Sequence, residues 1–390
     1  MLVNSLITDF VKSQISEEAI ICMRIGMKIS PLTVLRAGIP NYIIQLLRAL
    51  ADADQHNEYI LYTNRPIPFE LNLPDRFRTV TVSFPSSQLQ AWYQIGLPMQ
   101  MKKDGIQLFH DPVYPLPFIL PVPGVITVHD LSNYTNPGVH SFRSVLSGRL
   151  FPAHLRKARQ IITDSFFTAS ELERLFPRQA HKITVVHLGV SDVFQPITDP
   201  AVLESIRNMY DLPSRFLLFL GTLEPRKNIT RLLEAFALSS SGIPHSLVIT
   251  GGLGWKYDKL LKLIASHPDK ERIHLTGYVK EAHLPALLSA AEFLAYPSIL
   301  EGFGLPILEA MACGTPVITS EVSSMPEIAG DAAFLVDPYS IDSISNGINL
   351  LCTNGELREK LSRQGLKRAG LFSWRKTALK TLAVYEKAVN

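Results

Sequence analysis

Short apolar runs alternate with helical patterns along nearly the whole chain, and this alternation constrains its fold more than any other feature. In the second half the apolar runs are residues 216–220, 246–250, 273–275, 291–296, 316–319 and 333–336. In the first half they are residues 23–29, 58–63, 125–128, 161–164 and 183–186, and an amphipathic helix is predicted at 39–53. Strands that alternate with helices in this way indicate parallel sheets. We therefore expect an α/β protein made of two halves, with a ligand cleft between them.

A proline-rich stretch separates the two halves. Residues 191–213 contain three prolines and predict a linker followed by an entering helix. The predicted domains are therefore residues 23–195 on the N-terminal side and residues 196–370 on the C-terminal side. Residues 371–390 hold a predicted terminal helix whose apolar stripe must be buried against another element.

The first 22 residues are expected to be a dispensable extension. Residues 1–22 contain four charged side chains, which interrupt the apolar core that a signal peptide needs. The first strand is predicted to begin near Met23, which could itself be the natural start.

Composition argues against several classes of protein. A net charge of +3 with 19% charged residues gives no nucleic-acid footprint. Three well-separated cysteines indicate a reducing compartment, and the eleven histidines include no His-Glu-x-x-His pattern of a zinc site. The most apolar tract, residues 112–128, is interrupted by prolines and cannot be a membrane-spanning helix. We expect a cytoplasmic protein, in contact at most with the inner face of the membrane, that needs no metal.

The segment from Glu301 to Glu309 is the most informative for function. Pro306 suits the first position of a helix, and the two glycines before it leave the backbone accessible. The free N–H groups and the positive dipole end of this helix then form a site for an anion. Glu309 lies about one turn inside the helix and points back to the same site, whereas Glu301 can address the far end of a long ligand. A sugar nucleotide has that length and those chemical groups.

Two other interpretations of this segment stay open from the residues alone. An exposed surface helix would carry acidic residues near its start because the helix dipole favours them there. A glycosidase would use one carboxyl group as acid and the other as nucleophile or base, which requires a separation of about 5 to 9.5 Å.

A cationic turn follows the apolar run 216–220. Gly221 and Thr222 lead to Arg226 and Lys227, and a helical pattern begins at Ile229. Ligands of parallel α/β sheets bind at the carboxyl ends of strands, where this turn would lie. Two cations and a helix N-terminus would hold a diphosphate without a metal, although a solvated basic turn is the alternative.

Five stretches of the second half carry a family resemblance. They are 221–228 (GTLEPRKN), 277–279 (GYV), 301–309 (EGFGLPILE), 311–318 (MACGTPVI) and 325–333 (MPEIAGDAA). In this order and spacing they resemble the retaining family-4 glycosyltransferases of the GT-B architecture. The first half matches more thinly, at 23–26, 38–42, 129–132 and 183–190. The resemblance implies two Rossmann-like domains that face each other across a cleft, and a terminal helix that crosses back onto the first domain.

The resemblance also implies roles for individual residues. Glu309 would bind the ribose hydroxyls of the donor, and Glu301 the hydroxyls of the donor sugar. The other expected contacts are Phe303, Gly304 and Leu305 (backbone amides to sugar and phosphates), Arg226 and Lys227 (diphosphate), Tyr278 and Val279 (base), Gly38 (closing loop) and His129 (donor sugar). Thr222 is also counted among the donor-binding residues. We expect Glu301, His129, Lys227 and Arg226 to be the catalytic residues.

The chain departs from the family pattern at two positions. Many relatives carry Arg directly after the strand glycine, where this chain has Thr222, and we take Arg226 as its replacement. Pro40 stands where relatives often have glycine, which predicts a stiffer loop on the acceptor side.

Three further motifs are assigned no catalytic role. The glycine-rich stretch 251–256 lacks the third glycine and the acidic partner of a dinucleotide site. Asp52 and Asp54 are expected on a solvated surface. His187 is expected to be a packed structural histidine.

The stretch from Ser141 to Arg159 contains five Lys or Arg residues and no acidic residue, with apolar side chains between them. Such a stretch can lie on an anionic membrane surface or meet a lipid-diphosphate acceptor. An ordinary basic face is the alternative, and Pro152 interrupts the helical pattern.

The function predicted from the sequence is transfer of a hexose, with retained anomeric configuration, to a glycan or lipid-linked glycan in polysaccharide biosynthesis. UDP-glucose is favoured as donor, with GDP-mannose next. The alternatives are a GT-B sugar-nucleotide epimerase and a catalytically silent scaffold that binds nucleotide sugars. Alanine at Glu301 or Lys227 is expected to abolish transfer and to leave the fold intact.

Overall fold

The computed structural model describes residues 22–33, 38–83, 91–113, 115–135, 142–252 and 257–390. Almost all of the predicted extension at residues 1–22 lies outside these ranges. Two parallel sheets form the architecture, one of seven strands in the order β3-β2-β1-β4-β5-β6-β7 and one of six in the order β10-β9-β8-β11-β12-β13. The strands are β1 (Arg24–Lys28), β2 (Glu58–Thr63), β3 (Phe77–Thr81), β4 (Leu108–Asp111), β5 (Gly124–Val128), β6 (Gln160–Thr163), β7 (Ile183–Val185), β8 (Phe216–Leu220), β9 (Ser246–Thr250), β10 (Ile273–Gly277), β11 (Phe293–Tyr296), β12 (Val317–Ser320) and β13 (Phe334–Val336).

Helices connect the strands. In chain order the α-helices are α1 (Ile39–Ala53), α2 (Leu97–Asp104, preceded by a π-helical turn at Trp92–Gly96), α3 (Ser132–Thr135), α4 (Phe142–Lys157), α5 (Phe166–Leu175), α6 (Pro200–Tyr210), α7 (Ile229–Ser240), α8 (Tyr257–Ala265), α9 (Leu284–Ala290), α10 (Leu305–Ala312), α11 (Met325–Ala329), α12 (Ile341–Thr353), α13 (Gly355–Ala369) and α14 (Trp374–Val389). Short 3₁₀ turns occur at Ser30–Thr33, Pro177–Lys182, Pro225–Lys227, Lys270–Arg272 and Glu281–His283.

The sequence explains why each sheet is covered on both faces. Strand β8 reads Phe-Leu-Leu-Phe-Leu, and all five residues are buried, as a central parallel strand between two helical layers requires. Helix α1 buries Tyr42, Ile43, Leu46 and Leu50, which recur at helical spacing on one face. The Tyr42 hydroxyl on this face lies 3.1 Å from Thr127 Oγ1 of β5, so the apolar face of α1 is turned toward the sheet.

The α/β fold with two parallel-sheet domains is confirmed, and most predicted strands differ from the observed ones by one or two residues. Strands β3 and β4 were not expected from the sequence. In β3 three of the five residues are exposed, so the strand lacks an apolar run. In β4 all four residues are buried although two of them, His110 and Asp111, are polar.

Buried partners compensate those two polar groups. Asp111 forms an ion pair with Lys28 at 2.6 Å. His110 contacts Thr127 Oγ1 at 2.9 Å and the hydroxyl of Tyr385, on α14, at 2.7 Å. The last helix of the chain therefore lies against the first sheet, and Trp374 at its start packs 6.1 Å from the ring of Tyr42.

Direct contacts join the two sheet units on the cleft side. Ser165 Oγ donates to Gly302 O at 2.7 Å. Glu327 accepts from the backbone N–H groups of Phe166 and Phe167, at 2.9 and 3.2 Å, and so caps the start of α5 from the other unit. Its carboxylate also lies 2.6 Å from His187 Nε2.

We predict that Gly189→Ala destabilises the fold. A Cβ at Gly189 would lie 2.1 Å from the backbone N of Trp374, so the junction with α14 would have to shift. Thermal or urea denaturation should show a loss of about 1 to 3 kcal/mol. Gly242→Ala is the matched control, since its Cβ would meet nothing closer than 3.7 Å. Equal stability of the two variants would contradict the tight packing at this junction.

Candidate active site

A cavity of about 300 Å³ opens between the two sheets. It lies at the carboxyl ends of strands, where ligands of parallel α/β proteins bind. His129 and Asp130 follow β5, Asp164 follows β6, and Gly221 follows β8. The other residues that line it are Gly38, Ile39, Asn41, Tyr42, Leu188, Leu220, Thr222, Arg226, Lys227, Leu284, Tyr296, Glu301, Gly302, Phe303, Gly304, Leu305, Pro306 and Glu309.

Glu301 and Lys227 form a buried ion pair in the wall of this cavity. Lys227 Nζ lies 2.7 Å from Glu301 Oε1 and donates to the Tyr296 hydroxyl at 2.5 Å. The Tyr296 hydroxyl in turn donates to Glu301 Oε1 at 2.9 Å. Lys227 and Glu301 are each 6% exposed, so water cannot replace either partner.

The local sequence explains how Lys227 reaches this position. Pro225 opens the 3₁₀ turn Pro225–Lys227, and Asn228 ends it with a left-handed φ of 62°. The Asn228 side-chain amide donates to Pro297 O at 3.0 Å and to Pro338 O at 2.7 Å. Asn228 therefore anchors the cationic turn to two other loops, a positioning role that the sequence analysis did not assign.

Arg226 adds a second cation to the same carboxylate. Its Nη1 lies 2.7 Å from Glu301 Oε2, and its Nη2 lies 2.7 Å from Glu224 Oε1. The Arg226 side chain is 32% exposed and borders the cavity. The two cations thus face two carboxylates, and the cluster is neutral rather than freely cationic.

The pKa of Glu301 reflects this pairing. Burial alone would raise the pKa of the Glu301 carboxyl, but the charges of Lys227 and Arg226 outweigh it and hold the pKa at about 2. Glu301 is therefore ionised at every pH at which the protein would work.

Glu309 is in the opposite situation. It lies on α10 and faces the cavity, and within the described ranges its carboxyl group has no hydrogen bond or ion pair. Burial and, to a lesser extent, the negative charge of Glu281 raise the pKa of Glu309 to about 8. A half-buried carboxyl group that faces a cavity and has no protein partner is suited to accept hydrogen bonds from a ligand.

Three backbone amides lie beside Glu309 at the start of α10. Gly304, the N-cap residue, has a φ of 105°, which glycine adopts without strain. The N–H groups of Phe303, Gly304 and Leu305 donate to no acceptor in the part of the chain that the structure describes. Together with the helix dipole they form a site for an anionic group.

His129 lines the cavity from the other domain. Its Nδ1 lies 2.5 Å from Asp164 Oδ2, and its Nε2 lies 2.9 Å from Pro112 O. Burial has the largest single effect and lowers the pKa of His129, but the Asp164 carboxylate, the Pro112 carbonyl and the charge of Asp130 together outweigh it, so the net pKa is raised. Because both ring nitrogens donate to protein acceptors, the imidazolium is held in place and has no free nitrogen to take up a proton.

The remaining predicted donor residues divide into two groups. Gly38, with a φ of 90°, and Thr222 border the cavity. Tyr278 and Val279 are not among its lining residues, and Tyr278 is 68% exposed, whereas Leu284 from the following helix does line it.

The structure also places the residues that were assigned no catalytic role, His187, Asp52 and Asp54. His187 packs among the rings of Phe166, Phe303 and Phe372 and pairs with Glu327. Asp52 is exposed, but the expectation of a solvated surface is wrong for Asp54. Asp54 is 4% exposed and accepts hydrogen bonds from neighbouring groups: the backbone N–H groups of His56 and Asn57, the Asn57 amide and the Tyr59 hydroxyl. The glycine-rich stretch 251–256 lies largely outside the described residues.

Besides Asn228, sequence reasoning did not assign a role to Asp164 or Tyr296. Asp164 holds His129, and its position at the carboxyl end of the predicted strand 161–164 was the available signal. Tyr296 bridges Lys227 and Glu301, but in the sequence it is one more aromatic residue in an apolar run. Among the described residues no group of three His, Cys, Asp or Glu side chains is arranged to hold a metal ion.

Comparison with known proteins agrees with this geometry. A family model for glycosyltransferase family 4 matches residues 36–193, and the model for glycosyl transferases group 1 matches residues 206–368. The O-antigen chain mannosyltransferase B of Escherichia coli is 37% identical over 283 residues, which are 72% of this chain and 74% of that protein.

Two further likenesses point the same way. The serotype-specific mannosyltransferase WbdA of E. coli is 28% identical over 265 residues, 65% of this chain but only 32% of WbdA. Among solved structures, the sucrose-phosphate synthase of Thermosynechococcus elongatus superposes with a TM-score of 0.76 at 22% identity, over 94% of this chain and 98% of that one. At that identity the likeness concerns the fold.

The chain belongs to the family-4 glycosyltransferases of the GT-B fold. The enzyme class predicted from the sequence, a hexosyltransferase, is thereby confirmed.

The buried pair predicts how single and double variants behave. Lys227→Met or Glu301→Gln alone leaves one charge without its main partner, so each should cost about 3 to 5 kcal/mol in urea denaturation. The expectation that alanine at either position leaves the fold intact is revised accordingly. The double variant should recover much of that stability, because both charges are gone.

Activity separates this structural role from a catalytic one. The double variant, although its stability is largely restored, should remain at least about 1000-fold less active than the wild type. If the double variant lost as much stability as the two single variants together, the buried ion pair would be contradicted. An active double variant would contradict the catalytic role of Lys227 and Glu301.

Glu309 predicts a pH-dependent stability. Its folded pKa of about 8 exceeds the usual 4.5, so the protonated form stabilises the protein at low pH. This stabilisation is lost as pH rises from about 4.5 through about 8. Glu309→Gln imitates the protonated form, so its melting temperature should equal that of the wild type near pH 5 and exceed it by several degrees near pH 8.5. A difference that is constant with pH would show that Glu309 does not titrate in this range.

Proposed function

We propose that the protein is a metal-independent, retaining hexosyltransferase that binds a nucleotide diphosphate sugar in the cavity between its two domains. The observation that carries the proposal is the unpartnered Glu309 carboxyl beside three amides without acceptors. A ribose diol supplies two hydrogen-bond donors for the carboxyl group, and a diphosphate supplies acceptors for the amides. Retention of configuration is inferred from the family resemblance.

The charge of the leaving diphosphate would be met by two kinds of group. Arg226 is about one third exposed, so it can turn from Glu224 toward a ligand, whereas Lys227 is buried and stays with Glu301. The amides at residues 303–305 and the start of α10 add about half a positive charge. Catalysis then rests on positioning and on stabilisation of the departing phosphate.

Glu301 and His129 would orient the sugar between them. Ionised Glu301 accepts hydrogen bonds from sugar hydroxyls while it remains paired with Lys227. The His129 imidazolium, held by Asp164, contributes a fixed positive charge from the other domain and does not transfer a proton. The glycosidase interpretation loses support, because both Glu301 oxygens are occupied by cations.

A mannose donor is the better of the two predicted choices. The O-antigen chain relative and WbdA are both mannosyltransferases, so we rank GDP-mannose above UDP-glucose, which reverses the order expected from the sequence. Glu309 and the amides contact parts that both donors share, so the cavity residues by themselves do not set this order. The turn at Tyr278–Val279 stays the predicted contact of the base.

We further propose a glycan or lipid-linked glycan as acceptor and the cytoplasm as the place of action. The name of the O-antigen relative supports a role in polysaccharide biosynthesis. Three free cysteines support a reducing compartment. No described helix is both long and apolar enough to span a bilayer.

The direct test is transfer by the purified chain in the presence of EDTA. GDP-mannose should give a mannosylated product with α configuration by NMR when a mannose-terminated glycan is the acceptor, and UDP-glucose should give at least about tenfold less product. Glu309→Gln should lower kcat/KM at least about 100-fold, and Gly242→Ala is the control. An absolute need for a divalent cation, or an inverted product, would contradict the mechanism.

The same assay separates the two alternatives. An epimerase would convert the nucleotide sugar without any acceptor. A silent scaffold would bind the donor in calorimetry and give no product with any acceptor.

A further inference from the structure

A second cavity lies at the opposite edge of the first sheet. Its volume is about 670 Å³, and it is lined by residues that precede β5, β6 and β7 and by the end of α14. It therefore sits at the amino ends of strands whose carboxyl ends form the donor cavity. The five residues of β5 separate the two cavities by about 17 Å.

This cavity is strongly basic. Five of its fourteen lining residues are Lys or Arg, whereas Lys and Arg make up 38 of 390 residues in the chain. The five, which we call the basic cavity residues, are Arg156, Lys157, Arg159, Lys182 and Lys387. None of its lining residues is acidic, and the nearest acidic residue on α14, Glu386, does not line it.

The charge of these residues is not neutralised by protein carboxylates. No ion pair within the described ranges involves any of the five. In the described part of the chain, Lys182 Nζ donates to the backbone carbonyls of Arg156 and Ala158, at 2.9 and 2.8 Å. Burial and the charge of Arg159 lower the pKa of Lys182, which is the expected effect of crowded cations. An anion in the cavity would relieve this repulsion.

Exposed apolar side chains occur on the two segments that lead into the basic cavity, the loop before Leu120 and helix α4 before Arg156. Ile119 is 71% exposed, Phe118 50% and Leu150 46%. The Lys157 ammonium donates to Phe118 O, and the Phe118 ring stacks on His154 at 5.2 Å. The loop that carries Phe118 and Ile119 is therefore joined to the basic cavity through Lys157. Leu150 lies one turn before His154 on α4. We call Phe118, Ile119 and Leu150 the apolar rim.

The structure changes the sequence-based view of this surface. Phe151 and Leu155 of the basic stretch 141–159 are buried in the first domain, and Phe151 is 1% exposed. The apolar partners of the cations come largely from the loop at residues 118–119, which the sequence analysis did not connect with α4. Side chains of residues 142–149 lie outside the description.

We propose that the basic cavity residues and the apolar rim form a docking surface for a bilayer that contains anionic phospholipid. The cations hold lipid phosphates, and the rim side chains enter the boundary of the acyl chains. A nucleic acid would also match the charge, but exposed aliphatic side chains such as Ile119 and Leu150 gain nothing from a phosphodiester backbone. The proposal does not depend on which nucleotide sugar the donor cavity binds.

The test is sedimentation of the full chain with vesicles. The chain should bind vesicles of phosphatidylcholine with about 30% phosphatidylglycerol, should not bind phosphatidylcholine alone, and should be released at about 0.5 M NaCl. Arg156→Glu/Arg159→Glu/Lys387→Glu should weaken binding at least about 100-fold. The control Lys262→Glu/Lys270→Glu/Lys360→Glu makes the same change of charge on exposed residues of the second domain and should have only a few-fold effect.

Further measurements make the result decisive. Ile119→Ser/Leu150→Ser should weaken vesicle binding while the protein keeps its net charge. Both triple variants should keep the wild-type melting temperature and donor-induced thermal shift, which excludes misfolding. Equal losses in the two triple variants, equal binding to neutral vesicles, or capture of a 20-nucleotide RNA in place of vesicles would overturn the proposal.

Discussion

The buried Glu301 carboxylate is the interaction on which the donor cavity depends. It joins Lys227 and Arg226, from the turn after β8, to Tyr296 at the end of β11. Its backbone is held from the loop after β12, where the Ser323 and Ser324 hydroxyls donate to Glu301 O at 2.7 and 2.9 Å. A buried charge has to be paired, so three loops of one sheet are fixed relative to each other before any ligand arrives.

The first domain meets the second through close backbone contacts and contributes the His129–Asp164 pair to the cavity. A Cβ at Gly302 would lie 1.9 Å from His129 O, so a glycine is required where the two domains meet. The Ser165 and Glu327 contacts lie next to this point. The cavity thus has two parts. The part around Glu301 is fixed by ion pairs in the free protein, whereas Glu309 has no protein partner and can accept hydrogen bonds from ligand hydroxyls.

Much of this could be predicted from the sequence, and the failures have physical causes. Strand β8 and helices α1 and α14 were predictable because long apolar patterns define them. Strand β4 was not, because His110 and Asp111 become acceptable in a core only through partners distant in sequence, Tyr385 and Lys28. The active site shows the same division. The turn motif predicted the two cations, Arg226 and Lys227, but not their pairing with Glu224 and Glu301, because that pairing depends on three-dimensional contact.

The central claim is that a nucleotide diphosphate lies in the cavity without a metal and with its ribose on Glu309. The most direct measurement is titration calorimetry of GDP with EDTA at pH 7, in two buffers of different ionisation enthalpy. Because Glu309 has a pKa of about 8 in the free protein and would bind ribose as a carboxylate, wild-type binding should release roughly one proton and the Glu309→Gln variant none. Binding that requires a divalent cation, or that releases the same number of protons in both proteins, would contradict the account.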